Sequence, residues 1–333
     1  MPESAPLDAR RRALSWVALG VVYLVWGSTY LAIRVGVRHL PPMLLAGTRY
    51  VVAGALLYPV ALRATRRARD ASERGAKPDA KAWIACGIVG VLLLAAGNGG
   101  VTYAERVLPS GFAAVLVATV PLWMTVFAWP LQAERISWRS ATGLAIGLGG
   151  VAILAGGASS GHISSVIIAL GAAAAWGFGS VLSHRLALPV NAMLAAAIEM
   201  LVGGVVLMAV AAGTGEFSQV HLASVPVTSW VALGYLIIFG SIVAFTAYGY
   251  ALAHLPVTTV STYAFVNPVV AVLAGALILG EHLTLREGLG AALVVCSIII
   301  ILRGLRAPSR ATQAAEGDAS ARASSGAFDQ ASK

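Results

Sequence analysis

Apolar positions in this chain run in long unbroken blocks near residues 14–34, 43–62, 83–105, 110–131, 139–156, 164–184, 192–213, 229–252, 257–279 and 287–302. Polar and charged residues gather between the blocks. A helix needs about 20 apolar residues to cross a bilayer, so the pattern predicts ten transmembrane helices, the fifth and tenth being short. The blocks also repeat. Trp26-Gly27 returns as Trp176-Gly177, and Arg49 stands where Glu199 stands in the later copy. Pro109, Pro121, Glu134 and Gly143 are answered by Pro256, Pro268, Glu281 and Gly290. Two related membrane halves of five helices each are the pattern of secondary transporters built from internal repeats.

Composition agrees. Hydrophobic residues make up 58% of the 333 and charged residues 11%, with mean hydropathy +0.82. An aqueous domain carries about a quarter charged residues, so a large soluble core is excluded. The first block follows Arg10, Arg11 and Arg12 but is too long for a signal-peptide core and lacks a small-residue cleavage site; it reads as a retained helix.

Basic residues orient the chain. Of the 23 Lys and Arg, all but Arg34, Arg38, Arg49, Arg106 and Arg286, that is 18, fall on one side if both termini are cytoplasmic. The segment 63–81 is the densest of these clusters. An odd number of spans per half then inverts the second half relative to the first. The predicted organisation is a cytoplasmic N-terminus at 1–13, repeats at 14–156 and 157–304, and a disordered cytoplasmic tail at 305–333. The net charge of +9 is explained by topology and an anionic lipid surface, without nucleic acid. Cys86 and Cys296 fall inside predicted spans and suggest neither a disulfide nor a metal site; no cofactor is expected.

Candidate chemistry lies at mid-membrane depth. Pro121 and Pro268 each remove an amide donor, predicting bends in spans four and nine that serve as gates. Trp26, Ser28, Asn98, Tyr103, Trp176, Ser180, Tyr248, Tyr263 and Asn267 form the expected substrate-binding set. For each, interhelical packing is the competing reading. Arg49 and Glu199 are charges well inside spans, where even lenient scales put the cost at about 2.5 kcal/mol or more, and His184 falls one turn after Ser180. These three are candidates for coupling or for structural intramembrane charge, with Glu199, joined by His184, the candidate for proton coupling.

The stretches VWGSTYLAIRVGV, PPMLLAGTRYVVAGALL, GNGGVTYAERVLPSGFAAVLVATVPL, AIEMLVGGVVLM and YAFVNPVVAVLAGALILGEHL resemble the EamA branch of the drug/metabolite transporter superfamily, and within it the YedA-type exporters. The resemblance covers both repeats, about residues 14–304. It implies an all-α fold of ten helices around a central cavity lined by spans one, three, four, six, eight and nine. It also implies export of metabolites, amino acids or amphipathic compounds across a bacterial cytoplasmic membrane. The expected partners are a small-molecule substrate and the lipid bilayer, with a homodimer left open.

Rival classes are weaker. All five Asp lie outside the predicted spans, no HExxH motif is present, and Ser180 with His184 lacks an oxyanion site, so an intramembrane enzyme is disfavoured. No repeated filter or charge ring suggests a channel. No GxxxxGK[ST] loop is available for ATP-driven pumping by this chain.

Overall fold

The computed structural model describes residues 5–71, 78–132, 138–155, 160–186, 188–189, 191–255, 260, 262–281 and 284–305. Among them every regular element is a helix. We label these α1 (Ala5–Gly36), α2 (Pro42–Ala71), α3 (Ala80–Ala104), α4 (Ser110–Val117), α5 (Val120–Gln132), α6 (Trp138–Ala155), α7 (Ser160–Ser183), α8 (Ala192–Gly213), α9 (Glu216–Gln219), α10 (227–254), α11 (Tyr263–Leu279) and α12 (Leu285–Leu305). Seven described helical stretches are long and apolar enough to cross a membrane. Shorter apolar helices cover Ala141–Ile153, Val266–Leu279 and Gly288–Ile300. The tail beyond 305, Pro256 and Glu134 lie outside the described residues.

Caps set several boundaries. Asp79 starts α3 by accepting the Ala82 amide at 2.8 Å. Asn191 starts α8 by accepting the Met193 and Leu194 amides, and its own amide nitrogen donates to Thr65 Oγ1 at 2.8 Å. One capping side chain thus begins a helix and ties it to α2.

Two stretches leave the α-helical register. Val91–Asn98 in α3 and Leu236–Val243 in α10 are π-helical. A π-turn widens the helix and displaces a carbonyl from its usual partner, so polar groups become available at membrane depth. Both lie in the apolar interior, where each needs a partner from another helix.

Packing follows the sequence duplication. α2 lies against α8 and α6 against α12; α1 lies against α10 and α11, as α7 lies against α3 and the α4–α5 pair. Glycines locate these crossings. A Cβ on Gly27 would stand 2.5 Å from Val270 Cβ on α11, and one on Gly177 would stand 2.8 Å from Trp123 Cβ on α5. Val270 and Trp123 are equivalent positions of the two halves. Likewise Gly54 meets the Leu201 amide at 2.9 Å while Gly204 meets the Val51 amide at 2.7 Å. The small side chain lets backbones approach where membrane helices have little hydrophobic drive to associate.

The two prolines do not act alike. The fourth span breaks at Ala118–Thr119, where the Thr119 amide reaches only three residues back to Leu116 O, and α5 restarts with Pro121 as its second residue. Proline is tolerated there because first-turn amides have no helical acceptor. Pro268 instead lies inside an α11 that continues from Tyr263 to Leu279. Among the described residues the helix is thus interrupted just before Pro121 and continuous through Pro268.

Candidate functional site

Trp26 is the centre of the largest aromatic group at mid-span. Its ring meets Phe245 at 5.3 Å, Tyr248 at 5.1 Å and Tyr263 at 5.2 Å, drawing α1, α10 and α11 together. Tyr248 and Tyr263 also meet edge-on at 5.8 Å. Hydroxyls border the group: Tyr23 bonds Thr262, and Ser28 bonds Tyr235 at 2.6 Å. A smaller counterpart joins α5 and α7, where Phe127 stacks on Trp123 and meets Phe178 edge-on. Among the described residues, Trp123 Nε1 and Asn267 Oδ1 are buried without a hydrogen-bond partner. Buried polar atoms are costly to leave unmatched, which suits a place where a ligand or water binds.

Arg49 sits beside this group in a polar socket. Its Nε donates to Ser241 Oγ at 2.9 Å, its Nη2 to Gly240 O at 3.2 Å and its Nη1 reaches Asn98 Oδ1 at 3.4 Å. Its guanidinium also lies 4.7 Å from the Tyr50 ring centre. Trp26 Nε1 donates to the same Gly240 carbonyl at 3.3 Å. Gly240 and Asn98 belong to the two π-helical stretches, so the charge neutralises backbone and amide polarity that these turns expose. The equivalent Glu199, buried in α8, has neither a hydrogen bond nor an ion pair among the described residues. Gly90, the counterpart of Gly240, packs on the Glu199 backbone.

At the end of the bundle where α1, α3 and α11 finish and α4 begins, a second polar cluster joins the halves. Gly280 takes a left-handed φ of 66°, a conformation natural to glycine, and turns the chain after α11 so that Glu281 points back. The Glu281 carboxylate then accepts the Ser110 amide at 3.0 Å and the Ser110 hydroxyl at 2.6 Å, capping α4 from the other half. Arg34 donates to the Glu105 carbonyl, and its Nε lies 4.0 Å from Glu281 Oε1. The Glu105 side chain is fully buried and both of its oxygens lack a hydrogen-bond partner.

The residues expected in one binding set therefore separate. Trp26, Tyr248 and Tyr263 meet, Ser28 borders them, and Asn267 supplies the backbone carbonyl facing Gly27. Asn98 belongs to the Arg49 socket, and Trp176 packs against Gly97 on α3. Tyr103 is exposed, with Arg106 over its ring, while Thr102 and Ala104 are buried. The Ser180 hydroxyl bonds back to Trp176 O within its own helix. His184 lies past the end of α7 in an exposed turn, not in a span, because Arg185 and Leu186 bond three residues back and close the helix at Ser183. Sequence reasoning missed Ser241, Phe245, Glu105 and the pairing of Arg34 with Glu281. The signal available for the last was the repeated Glu134 and Glu281 landmark.

Paired helical halves, glycine crossings at equivalent positions and a polar interior define a multi-span membrane protein of duplicated design. The chain belongs to the EamA-like transporter family, whose model matches residues 13–156 and 163–303, one copy per half. It is 41% identical over 293 residues, 86% of this chain and 90% of the relative, to the Escherichia coli (strain K12) protein named "Uncharacterized inner membrane transporter YedA". It is 26% identical over 289 residues (86% of this chain, 92% of the relative) to a Streptantibioticus cattleyicolor "Probable terminal-alkyne amino-acid exporter". It is 24% identical over 305 residues (86% and 94%) to an Escherichia coli (strain K12) "Probable amino-acid metabolite efflux pump". A solved structure of 20% identity superposes with a TM-score of 0.58, covering 88% of this chain and 99% of that one, a likeness of fold.

Proposed function

We propose that this protein is a secondary transporter that exports small metabolites, amino acids or amphipathic compounds across a bacterial cytoplasmic membrane by alternating access. In this reading ten spans form two inverted five-helix repeats, residues 14–156 and 157–304, around a central path, with both termini in the cytoplasm. The observation that carries it is the equivalence of the Gly27–Val270 and Gly177–Trp123 crossings. α1 meets α11 as α7 meets α5, so exchanging the conformations of the halves opens one end as it closes the other.

Substrate recognition falls to Trp26, Tyr248, Tyr263 and Asn267. Aromatic faces with one amide and a few hydroxyls suit a neutral or zwitterionic solute with an apolar side chain. A polyanion needs several converging cations, and Arg49 is already engaged by three partners. The exporter names of the two amino-acid relatives point the same way. Span four, broken at Ala118–Thr119, is the moving gate of the first half, and Pro268 weakens span nine in the second.

The test is counterflow in proteoliposomes: vesicles loaded with one unlabelled amino acid or planar amphipathic amine at a time, with labelled solute outside. Transient uptake above equilibrium is expected for at least one apolar amino acid or amphipathic amine. Trp26→Ala and Tyr263→Ala are expected to raise KM at least about tenfold, the equivalent of 1.4 kcal/mol, with folded protein recovered at parent yield. Unchanged kinetics in both variants would remove the aromatic group from recognition.

A further inference from the structure

We infer that Glu105 is a proton-binding site, occupied while the α1–α3–α4–α11 end of the bundle is closed and vacated when that end opens. The inference rests on the transporter reading and supplies its coupling ion. Glu105 has no exposed surface, and neither carboxyl oxygen has a hydrogen-bond partner. An ionised carboxylate in that state forfeits its hydration for nothing, at a cost of several kcal/mol, whereas a neutral acid forfeits far less.

The surroundings supply the switch. Arg34 and Tyr30 face Glu105 from α1, Arg49 from α2, and Glu281 from the turn after α11; Arg106 follows it in the chain. The closest cation, Arg34, is spent on the Glu105 backbone carbonyl and leans toward Glu281, while its Nε is itself unpartnered. The closed arrangement thus holds two acids with one loosely shared guanidinium, and Glu281 already takes the Ser110 amide and hydroxyl. Neutralising Glu105 leaves Glu281 the sole anion. When the end opens, the O–H bond of Glu105 breaks, its proton passes to entering water, and the carboxylate takes the Arg34 guanidinium. Closing reverses both steps. Glu199, by contrast, has no cation beside it among the described residues.

The experiment uses the full chain in lipid nanodiscs, with spin labels at Arg38→Cys and Leu285→Cys to report this end, and infrared spectra to report protonated carboxyls. Raising pH is expected to increase the long-distance population of the label pair. Glu105→Gln, a neutral and equally sized replacement, is expected to hold the pair short at every pH and to remove one protonated-carboxyl band that Glu199→Gln leaves in place. A band that survives Glu105→Gln, or a label pair still responsive to pH in that variant, overturns the inference. Should Glu105→Gln misfold, the band is read instead in Arg34→Gln: it persists to higher pH than in the parent if the site is as described, and an unmoved band overturns it. Absence of counterflow in the parent, with the band and its loss intact, would count against the transporter reading and leave the proton site standing.

Discussion

Arg49→Leu is expected to cost about 3–5 kcal/mol of stability, read as a lowered unfolding temperature in detergent and loss of monodisperse protein. The estimate rests on which groups the change leaves stranded. Ser241 Oγ, Asn98 Oδ1 and Gly240 O each lose a charged donor. Hydrogen bonds to charged groups contribute roughly 1.5–3 kcal/mol each, and bilayer depth offers no water to replace them. Packing leaves no alternative, since Gly240 lies against Arg49 Nη2 and Thr29 Cγ2. Arg49→Lys is expected to recover only part of the loss, because one ammonium cannot span the three acceptors in the plane of a guanidinium. A stable Arg49→Leu protein that has lost transport alone would place Arg49 in recognition, against this account.

Gly204→Val and Gly54→Val are expected to be similarly damaging to each other, at about 1–3 kcal/mol or more apiece. The atoms that a new side chain meets here include backbone: the Val51 amide at 2.7 Å and the Leu201 amide at 2.9 Å. Backbone cannot rotate away as a side chain does, so α2 and α8 must separate along their whole crossing. Gly171→Ala provides the control. Nothing lies within 4 Å of a Cβ there, and alanine gains roughly 1 kcal/mol of helix propensity over glycine. Thermal unfolding of the three variants checks the contrast. Equal behaviour of Gly171→Ala and Gly204→Val would mean that the α2–α8 crossing carries little of the fold's stability.

The spans were legible because twenty apolar residues in a row admit few other readings, and the duplication was legible because Trp-Gly and Gly pairs mark crossings that packing cannot relax. Arg49 stood out as a charge in apolar sequence, but its socket did not. LIIFGSIV carries no sign that it will widen into a π-turn and present Gly240 O; that depends on what α1 and α2 press against it. His184 follows a tightened last turn, which depth counted along the sequence does not show. Nothing in the sequence around Glu105 marks its carboxyl as buried. The groups that face it come from α1, α2 and the turn after α11, which are distant in sequence and so invisible to a local pattern.

Alternating access is most directly tested by comparing the two ends of one protein. Spin-label pairs at Arg38→Cys with Leu285→Cys and at Trp129→Cys with His184→Cys, on a background with Cys86 and Cys296 replaced, report the two ends by pulsed dipolar spectroscopy. Each pair is expected to show a short and a long population, with the two long populations together never exceeding the whole. Conditions that lengthen one pair, including added transported solute, are expected to shorten the other. Long distances at both ends in most molecules at once would mean a continuous pore and would contradict the account.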